Sequence, residues 1–387
     1  MLKIRHIAAL ALAPVAVACV SAFSCPAAAR PTPAAGADSA TAAAPPTRTV
    51  LPVLRVAAAR HYGQPGNASG FSVIVATGVG QAWAFGGTNP GGPSTPIAAR
   101  WNGTALTPSA LPAGLTGFIS DASAPAANDV WAAGQYGRYV VHWNGQGWRT
   151  ARQWRSGQVT GLIAISTSDV WVFGTTVTGS SVLGTWHFDG TSWRPVTGRA
   201  SSIYRASAVS SKDIWAIAAS SGTDVILRYN GSTWWRVRTG PVLNGVQPRD
   251  IIALSDRDVW VAGNEVSPAS APRLVLAHWN GSRWTRLANG LSAWAGRLSP
   301  AAHGDVLLTA TPANAAATGL IMHASPAGWG TTIVVASGLG SGVSDVALAP
   351  RTSSLWATGG ILTRLGGEAA IWSGPMARAE HDPHDNI

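Results

Sequence analysis

Residues 258–284 read DVWVAGNEVSPASAPRLVLAHWNGSRW, and this stretch decides the fold. The phrase from Asp258 to Gly263 alternates in the manner of a β-strand. Trp260 within it is large enough to fill a gap between neighbouring sheets. Asp258 suits a tight turn into that strand, where a short carboxylate accepts backbone N–H bonds. The phrase from His278 to Trp284 puts Asn280-Gly281 directly after an aromatic strand. Asn-Gly there predicts a hairpin with a type I′ turn, which needs positive φ at both central residues.

The two phrases recur along the chain. The first returns as DVWAAG at Asp129–Gly134, DVWVFG at Asp169–Gly174 and DIWAIA at Asp213–Ala218, with worn copies at Gln81–Gly86, Asp305–Ala310 and Leu355–Gly360. Its central residues are Trp83, Trp131, Trp171, Trp215, Trp260, Leu307 and Trp356, spaced 48, 40, 44, 45, 47 and 49 apart. The second phrase returns as RWNG at Arg100, HWNG at His142, HFDG at His187 and RYNG at Arg228, with worn forms at His323 and Ile371. A further Trp usually follows the hairpin: Trp148, Trp193, Trp234, Trp284 and Trp329.

A period of this size marks a repeat architecture, and four antiparallel strands in about 45 residues make one propeller blade. The expectation is an all-β chain: a single seven-bladed β-propeller of four-stranded antiparallel blades. The seventh unit lacks a fourth strand, whereas Val50–Val56 precedes the first unit and has no partner of its own. That segment is expected to complete the last blade and close the ring, which removes two exposed sheet edges.

The bulk composition agrees. The 387 residues include 19 Trp, 44 Gly and 25 Pro, and only 11% are charged, which suits a β repeat better than a helical fold. The 46% hydrophobic content can bury a sizeable core. The formal charge is +10, and Lys3 and Lys212 are the only lysines. Such a charge would attract anionic polymers, lipid headgroups or nucleic acid. The arginines are scattered rather than clustered, so no nucleic-acid partner is expected.

Residues 1–29 read as a signal peptide: basic Lys3, Arg5 and His6, an apolar run from Ile7 to Phe23, then Ala27-Ala28-Ala29. The run is short for a membrane span and contains Pro14. Cleavage after Ala29 would remove Cys19 and Cys25, leaving a secreted, extracellular chain without disulfides and without a transmembrane span. Ala16-Val17-Ala18-Cys19 loosely matches a lipobox, so lipid anchoring at the cell surface through Cys19 is the alternative. Residues 30–48 are a Pro/Ala/Thr-rich linker, 49–376 the propeller, and 377–387 a disordered tail. Two histidines in that tail, His381 and His384, do not make a metal site. The Asn-x-Ser/Thr matches at Asn102, Asn230 and Asn280 sit in hairpins and read as turn chemistry.

The phrases resemble those of the Trp-rich β-propellers found among exported proteins of actinobacteria and related bacteria, in which DVWAVG is followed by HWNGxxW. The resemblance covers about residues 50–374. It implies the fold and export, and it implies no particular ligand. The Asp-box of sialidases is less similar, since Asp189 directly precedes Gly190 here.

Chemistry is sparse. Glu265, Glu368 and Glu380 are the only glutamates. Asp129, Asp169, Asp213 and Asp258 recur at one repeat position, as do His142, His187 and His278, and recurrence around a ring argues for architecture. No metal, cofactor or catalytic constellation is expected. Function is sought where the repeats differ. Ten residues before each marker stand Val73, Asp121, Gly161, Arg205, Asp250 and Arg297, with Asp345 in the seventh unit if one residue is inserted. Asp121, Arg205, Asp250, Arg297 and Asp345 are the candidate ligand-binding residues, at the mouth of the central channel. The alternative is that they pair with one another and with water and seal it. The inserts Thr88–Ala98 and Glu265–Arg273 are further candidates. The functional expectation is a monomeric binding or scaffold module for a glycan, peptide or cell-envelope component. The alternative is a glycan-active hydrolase or lyase with carboxylates at the axis.

Overall fold

The computed structural model describes residues 53–375, apart from 65, 90–93, 176–181, 197–201, 221, 268–269, 314–318, 336–340 and 364–365. The expected signal, linker and tail, with Cys19, Cys25, His381 and His384, lie outside the described residues. Within them the chain is nearly all β, with two short 3-10 turns at Gly240–Leu243 and Ala302–Gly304.

Ala68–Gly78, Gln81–Asn89, Pro96–Trp101 and Leu106–Pro108 form a four-stranded antiparallel sheet in chain order. Residues 119–153, 158–196 and 203–236 form three more of the same kind. The remaining strands depart from separate four-stranded blades, because they join in one mixed eleven-stranded sheet. Two joints cause this. The strand Trp284–Pro300 runs unbroken, pairing first with Ser270–Trp279 and then with Val306–Pro312. The N-terminal strand Val53–Arg60 pairs antiparallel with Gly366–Pro375 and, through Val53 and Leu54, in parallel with Gly328–Val335. It begins inside the expected segment and runs on to Arg60. The expected insert Glu265–Arg273 is largely strand as well, with Glu265 opposite Arg273 and Ser267 opposite Ser270.

The first strands of successive units touch. Ala68–Gly78 meets Ile119–Ala126, which meets Gln158–Ser166; Ile203–Ser210, Val246–Ser255, Trp284–Pro300 and Ser341–Leu348 follow, and the last meets Ala68–Gly78 again. The marker tryptophans pack between units. Trp83, Trp131, Trp171, Trp215 and Trp260 are all buried. The Trp of the next unit's fourth strand leans edge-on against them: Trp148 stands 5.1 Å from Trp83, Trp193 6.3 Å from Trp131, and Trp284 6.2 Å from Trp215.

The recurring Asp differs from its expected role. It takes side-chain donors rather than the N–H groups of a turn. Asp129 Oδ1 accepts from Trp131 Nε1 at 2.9 Å and pairs with His142 Nε2 at 2.7 Å. Asp169 does the same with Trp171 and His187, and Asp258 with Trp260 and His278. Each His stacks on its Trp, with centroids 4.0 to 4.3 Å apart. Cross-strand register dictates the contact, since Trp131 faces His142 and Trp260 faces His278. The fourth unit carries Arg228 instead. Its guanidinium takes both oxygens of Asp213, at 2.7 and 2.9 Å, and lies 4.7 Å from the Trp215 ring centroid. These residues tie the second and third strands together, as their recurrence suggested.

The hairpins also differ from the type I′ expectation. Gly103, Gly145, Gly190, Gly231 and Gly281 have φ between 88° and 93°, whereas the preceding Asn or Asp does not have positive φ. The Asn or Asp therefore lacks the positive φ that a type I′ turn requires at its first central residue. The Asn instead uses its side chain. Asn280 Oδ1 accepts the N–H groups of Ser282 and Arg283, both at 3.0 Å, and Asn102 and Asn230 act likewise. The amide oxygens of these three residues are thus engaged in turns. Two neutral hydrogen bonds contribute about 1 kcal/mol each. Asn280→Ala is therefore expected to lower the unfolding free energy by ~1–2 kcal/mol, read from a urea midpoint shift at constant m-value. No shift would contradict the capping role.

Candidate functional site

Each first strand carries a β-bulge beside the candidate position. The register shifts between Phe71 and Val73, Ile119 and Asp121, Val159 and Gly161, Ile203 and Arg205, Pro248 and Asp250, Ala295 and Leu298, and Val343 and Asp345. Bulges re-aim the side chains next to them. Asp345 faces Thr358, two residues past the marker Trp356, as Asp121 faces Ala133 two past Trp131. It occupies the expected place in the seventh unit.

The five charged residues come together. Arg297 Nη2 lies 2.5 Å from Asp121 Oδ1, joining the sixth unit to the second. Its Nη1 lies 3.9 Å from Asp250 Oδ1, and Arg205 Nε lies 3.8 Å from the same oxygen. Arg205 Nη1 donates to the carbonyls of Thr160 and Tyr204, and Arg297 Nη2 also donates to that of Ser120. Arg205 is the most exposed of the paired side chains at 27%, against 8% for Asp250.

The carboxylates have a second engagement that the sequence did not suggest. Each accepts a backbone N–H from the first strand of the next unit. Asp121 Oδ2 takes Leu162 N at 2.9 Å, and Asp250 Oδ2 takes Leu298 N at 2.7 Å. Asp345 Oδ2 takes Ile74 N at 3.0 Å, which links the seventh unit to the first. Two residues further along, serines repeat the device. Ser123 bonds Ala164 N, Ser207 bonds Ala253 N, and Ser299 bonds the Val346 carbonyl. The sequence held a trace of this second layer, because that column reads Val75, Ser123, Ile163, Ser207, Ile252, Ser299, Ala347. Every other unit supplies a hydroxyl.

Charge balance governs the cluster. Three acids face two arginines, so full ionisation would bury one uncompensated negative charge, which is costly. Burial pushes the Asp345 carboxyl up to about 7, against the opposing pull of Arg297 and the N–H groups of Ile74 and Val346. Burial also raises Asp250, with Arg297 and Arg205 opposing. For Arg297, burial works against the charge, but Asp121 and Asp250 outweigh it and hold the guanidinium more firmly charged than usual. Arg205 is lowered by burial and by Arg297. A neutral Asp345 leaves two acids against two arginines.

This has a pH consequence. The unfolded Asp345 carboxyl ionises near 3.8 and the folded one near 7, so between those values the native state holds a proton that the unfolded chain has released. The stability contributed by this group is present below 3.8 and is lost as pH rises through about 7. Its slope reaches at most ~1.4 kcal/mol per pH unit. In Asp345→Asn that slope is expected to vanish, so the variant gains on the parent between pH 5 and pH 8. Parallel stability curves for the two proteins would contradict the assignment.

A hollow of about 430 Å3 lies elsewhere, at the turns that end the first strands of units one, two and seven, with Thr77, Val79, Pro125, Pro350 and Arg351 among its lining residues. None of the five charged residues lines it. Among the described residues no group of three or more His, Cys, Asp and Glu side chains could hold a metal ion. Among them, too, no helix is long and apolar enough to cross a membrane.

No protein-family model matches the chain, and no curated protein matches its sequence. Solved structures do. YCF48 bound to D1 peptide is similar with a TM-score of 0.55 at 12% identity, covering 86% of this chain and all of that one. A catalytically inactive variant of virginiamycin B lyase from Staphylococcus aureus, with Quinupristin, gives a TM-score of 0.56 at 11% identity, covering 79% of this chain and 95% of that one. The GH74 enzyme of Niastella koreensis gives 0.53 at 13% identity, covering 83% of this chain and 53% of that one. At such identities the likeness defines the fold alone: the chain is a β-propeller. The three neighbours include a peptide complex and two enzymes, so fold does not decide between binding and catalysis.

Proposed function

We propose that residues 49–376 form a closed seven-bladed β-propeller, exported by segment 1–29, that acts as a monomeric binding or scaffold module for a glycan, peptide or cell-envelope component. The blade count draws support from the first-strand contacts, which pass through seven strands and return to the first. Closure draws support from the pairing of Val53–Arg60 with Gly366–Pro375. The observation that carries the binding reading is the saturation of the axial ring. Asp121 and Asp250 commit their oxygens to arginines and to N–H groups of the next blade, and Asp345 commits its own to Ile74 N of the next blade and to Val346 N. A general acid or base at these positions would have to release a clasp between blades with each turnover. The ring therefore serves as a polar floor, and Arg205, its most exposed member, is where a ligand would meet it.

One observation favours the second reading, a glycan-active hydrolase or lyase: Asp345 carries a carboxyl raised to about 7 by burial. Its oxygens are nonetheless turned to Ile74 N and Val346 N, at 3.0 and 2.9 Å. The test is an array of glycans, peptides and cell-envelope fragments probed with residues 30–387. Saturable binding with the ligand recovered intact is the expected result. Cleaved ligand would establish the enzyme. Unchanged affinity in Arg205→Ala would remove the ring from the ligand contacts.

A further inference from the structure

Two tryptophans are exposed among the described large hydrophobic side chains, Trp235 at 39% and Trp294 at 40%. Trp235 has an architectural reason, because Arg228 lies between it and Trp215, 5.8 and 4.7 Å from the two ring centroids. Trp294 also has a guanidinium beside it, that of Arg249, but among the described residues that guanidinium stacks on no buried marker Trp. Trp294 stands on the first strand of the sixth unit, three residues before Arg297. The matching positions in the other units hold Gly70, Phe118, Gln158, Ser202, Gln247 and Gly342. The repeat geometry does not demand an indole there, and leaving one in water forgoes the hydrophobic gain that every marker Trp collects.

Polar groups gather beside it. The Arg249 guanidinium lies 5.7 Å from the Trp294 ring centroid. Arg249 and Tyr204 are the bulge residues immediately before Asp250 and Arg205. Asp224, near the start of the strand Thr223–Tyr229, is close enough to both to act on them electrostatically. Burial raises its carboxyl and Arg249 opposes the rise, while burial raises the Tyr204 hydroxyl and Asp224 adds to it. Trp294, Arg249, Asp224 and Tyr204 thus form a shelf of aromatic and polar groups across units four to six, next to the axial ring.

We propose that this shelf is a saccharide site that takes a neutral hexopyranose chain, one sugar ring stacking on Trp294 and its hydroxyls bonding Arg249 and Asp224. The C–H face of a pyranose is apolar and flat enough to lie on an indole. Vicinal hydroxyls match the planar forks of a guanidinium and a carboxylate, one donating and the other accepting. The two charges cancel, which favours a neutral ligand over an anionic one. The inference rests on the binding-module reading and names its ligand class.

Residues 30–387 are titrated by calorimetry with maltohexaose, cellohexaose and laminarihexaose. At least one is expected to bind, with affinity reduced tenfold or more in Trp294→Ala and also reduced in Asp224→Asn. Trp235→Ala, an exposed Trp away from the shelf, is expected to bind as the parent does, which separates loss of the site from loss of the fold. Equal affinity in Trp294→Ala overturns the proposal. So does the absence of binding to all three hexaoses by a protein that binds a peptide or an acidic glycan on the array, which leaves the binding-module reading standing. A protein that binds nothing on either panel overturns both.

Discussion

A chain lacking residues 49–58 is expected to unfold about 10 °C below the parent, with loss of a single cooperative transition. Val53–Arg60 is the outer partner of Gly366–Pro375, and Leu54 is 1% exposed in a cluster with Leu307, Ile333, Val343 and Trp372 from the sixth and seventh units. Its deletion removes a buried Leu, which contributes about 1.5–3 kcal/mol, and a row of ladder bonds at about 1 kcal/mol each. It also bares the edge of a long strand that other chains can pair with. The sum is a large share of the roughly 5–15 kcal/mol by which a typical domain is stable. Trimming residues 377–387 is expected to leave the midpoint unchanged. Circular dichroism melts of the three proteins decide the matter. An unaltered melt after the first deletion would contradict the role given to the strand.

Arg297→Ala is expected to cost about 3–5 kcal/mol in urea unfolding, the usual penalty for stranding a buried charge. Arg297 is the one group that touches Asp121 at 2.5 Å and also stands near Asp250, and the Arg297 side chain is only 16% exposed. Its loss leaves three acids facing Arg205 alone. Part of the cost is expected to return when Asp121→Asn is added, because the stranded charge is then gone while the amide oxygen still accepts from Leu162 N. A cost under ~1 kcal/mol, typical of an exposed pair, would show that the ring does not hold the inner strands.

Much of the fold was legible because its signals are local and repeated. Asp-Val-Trp-Ala-x-Gly and His-Trp-Asn-Gly each fix a strand by alternation and a turn by Gly, and the period places the units. The fusion of the last units into one sheet was not legible. It depends on an unbroken strand, Trp284–Pro300, which runs through Asn289-Gly290, a pair that reads as a turn; Gly290 takes a positive φ of 71° there without ending the strand. The recurring Asp and Asn take roles that sequence spacing hides, because spacing does not say which donors lie across the strand. Asp129 meets His142 only through the register that sets Trp131 opposite that histidine.

The five charged positions were picked out by counting back from each marker, and the bulges explain why the count keeps them at one place in each first strand. A bulge at the same place in each first strand keeps the position in phase. What counting could not supply is the direction of the carboxylates. Their bonds to Leu162, Leu298 and Ile74 cross from one unit to the next, and the partner is a backbone N–H, which leaves no mark on residue type. The shelf was invisible for the opposite reason. Trp294 looks like any other tryptophan in a chain of 19 until its burial is compared with theirs.

Closure of the ring by the two ends of the chain can be tested with one cross-link. Arg55 and Ser373 are register partners, and the sequence has cysteines only at positions 19 and 25, ahead of the propeller. Cross-strand partners sit at Cα separations that a disulfide spans. Residues 30–387 carrying Arg55→Cys and Ser373→Cys are to be oxidised and scored for free thiols by mass spectrometry. Near-complete disulfide formation within the monomer is the expected result, with a raised melting midpoint because the bond closes a loop of several hundred residues. Two thiols that stay free, or that pair only between molecules, would contradict a propeller closed by its N-terminal strand.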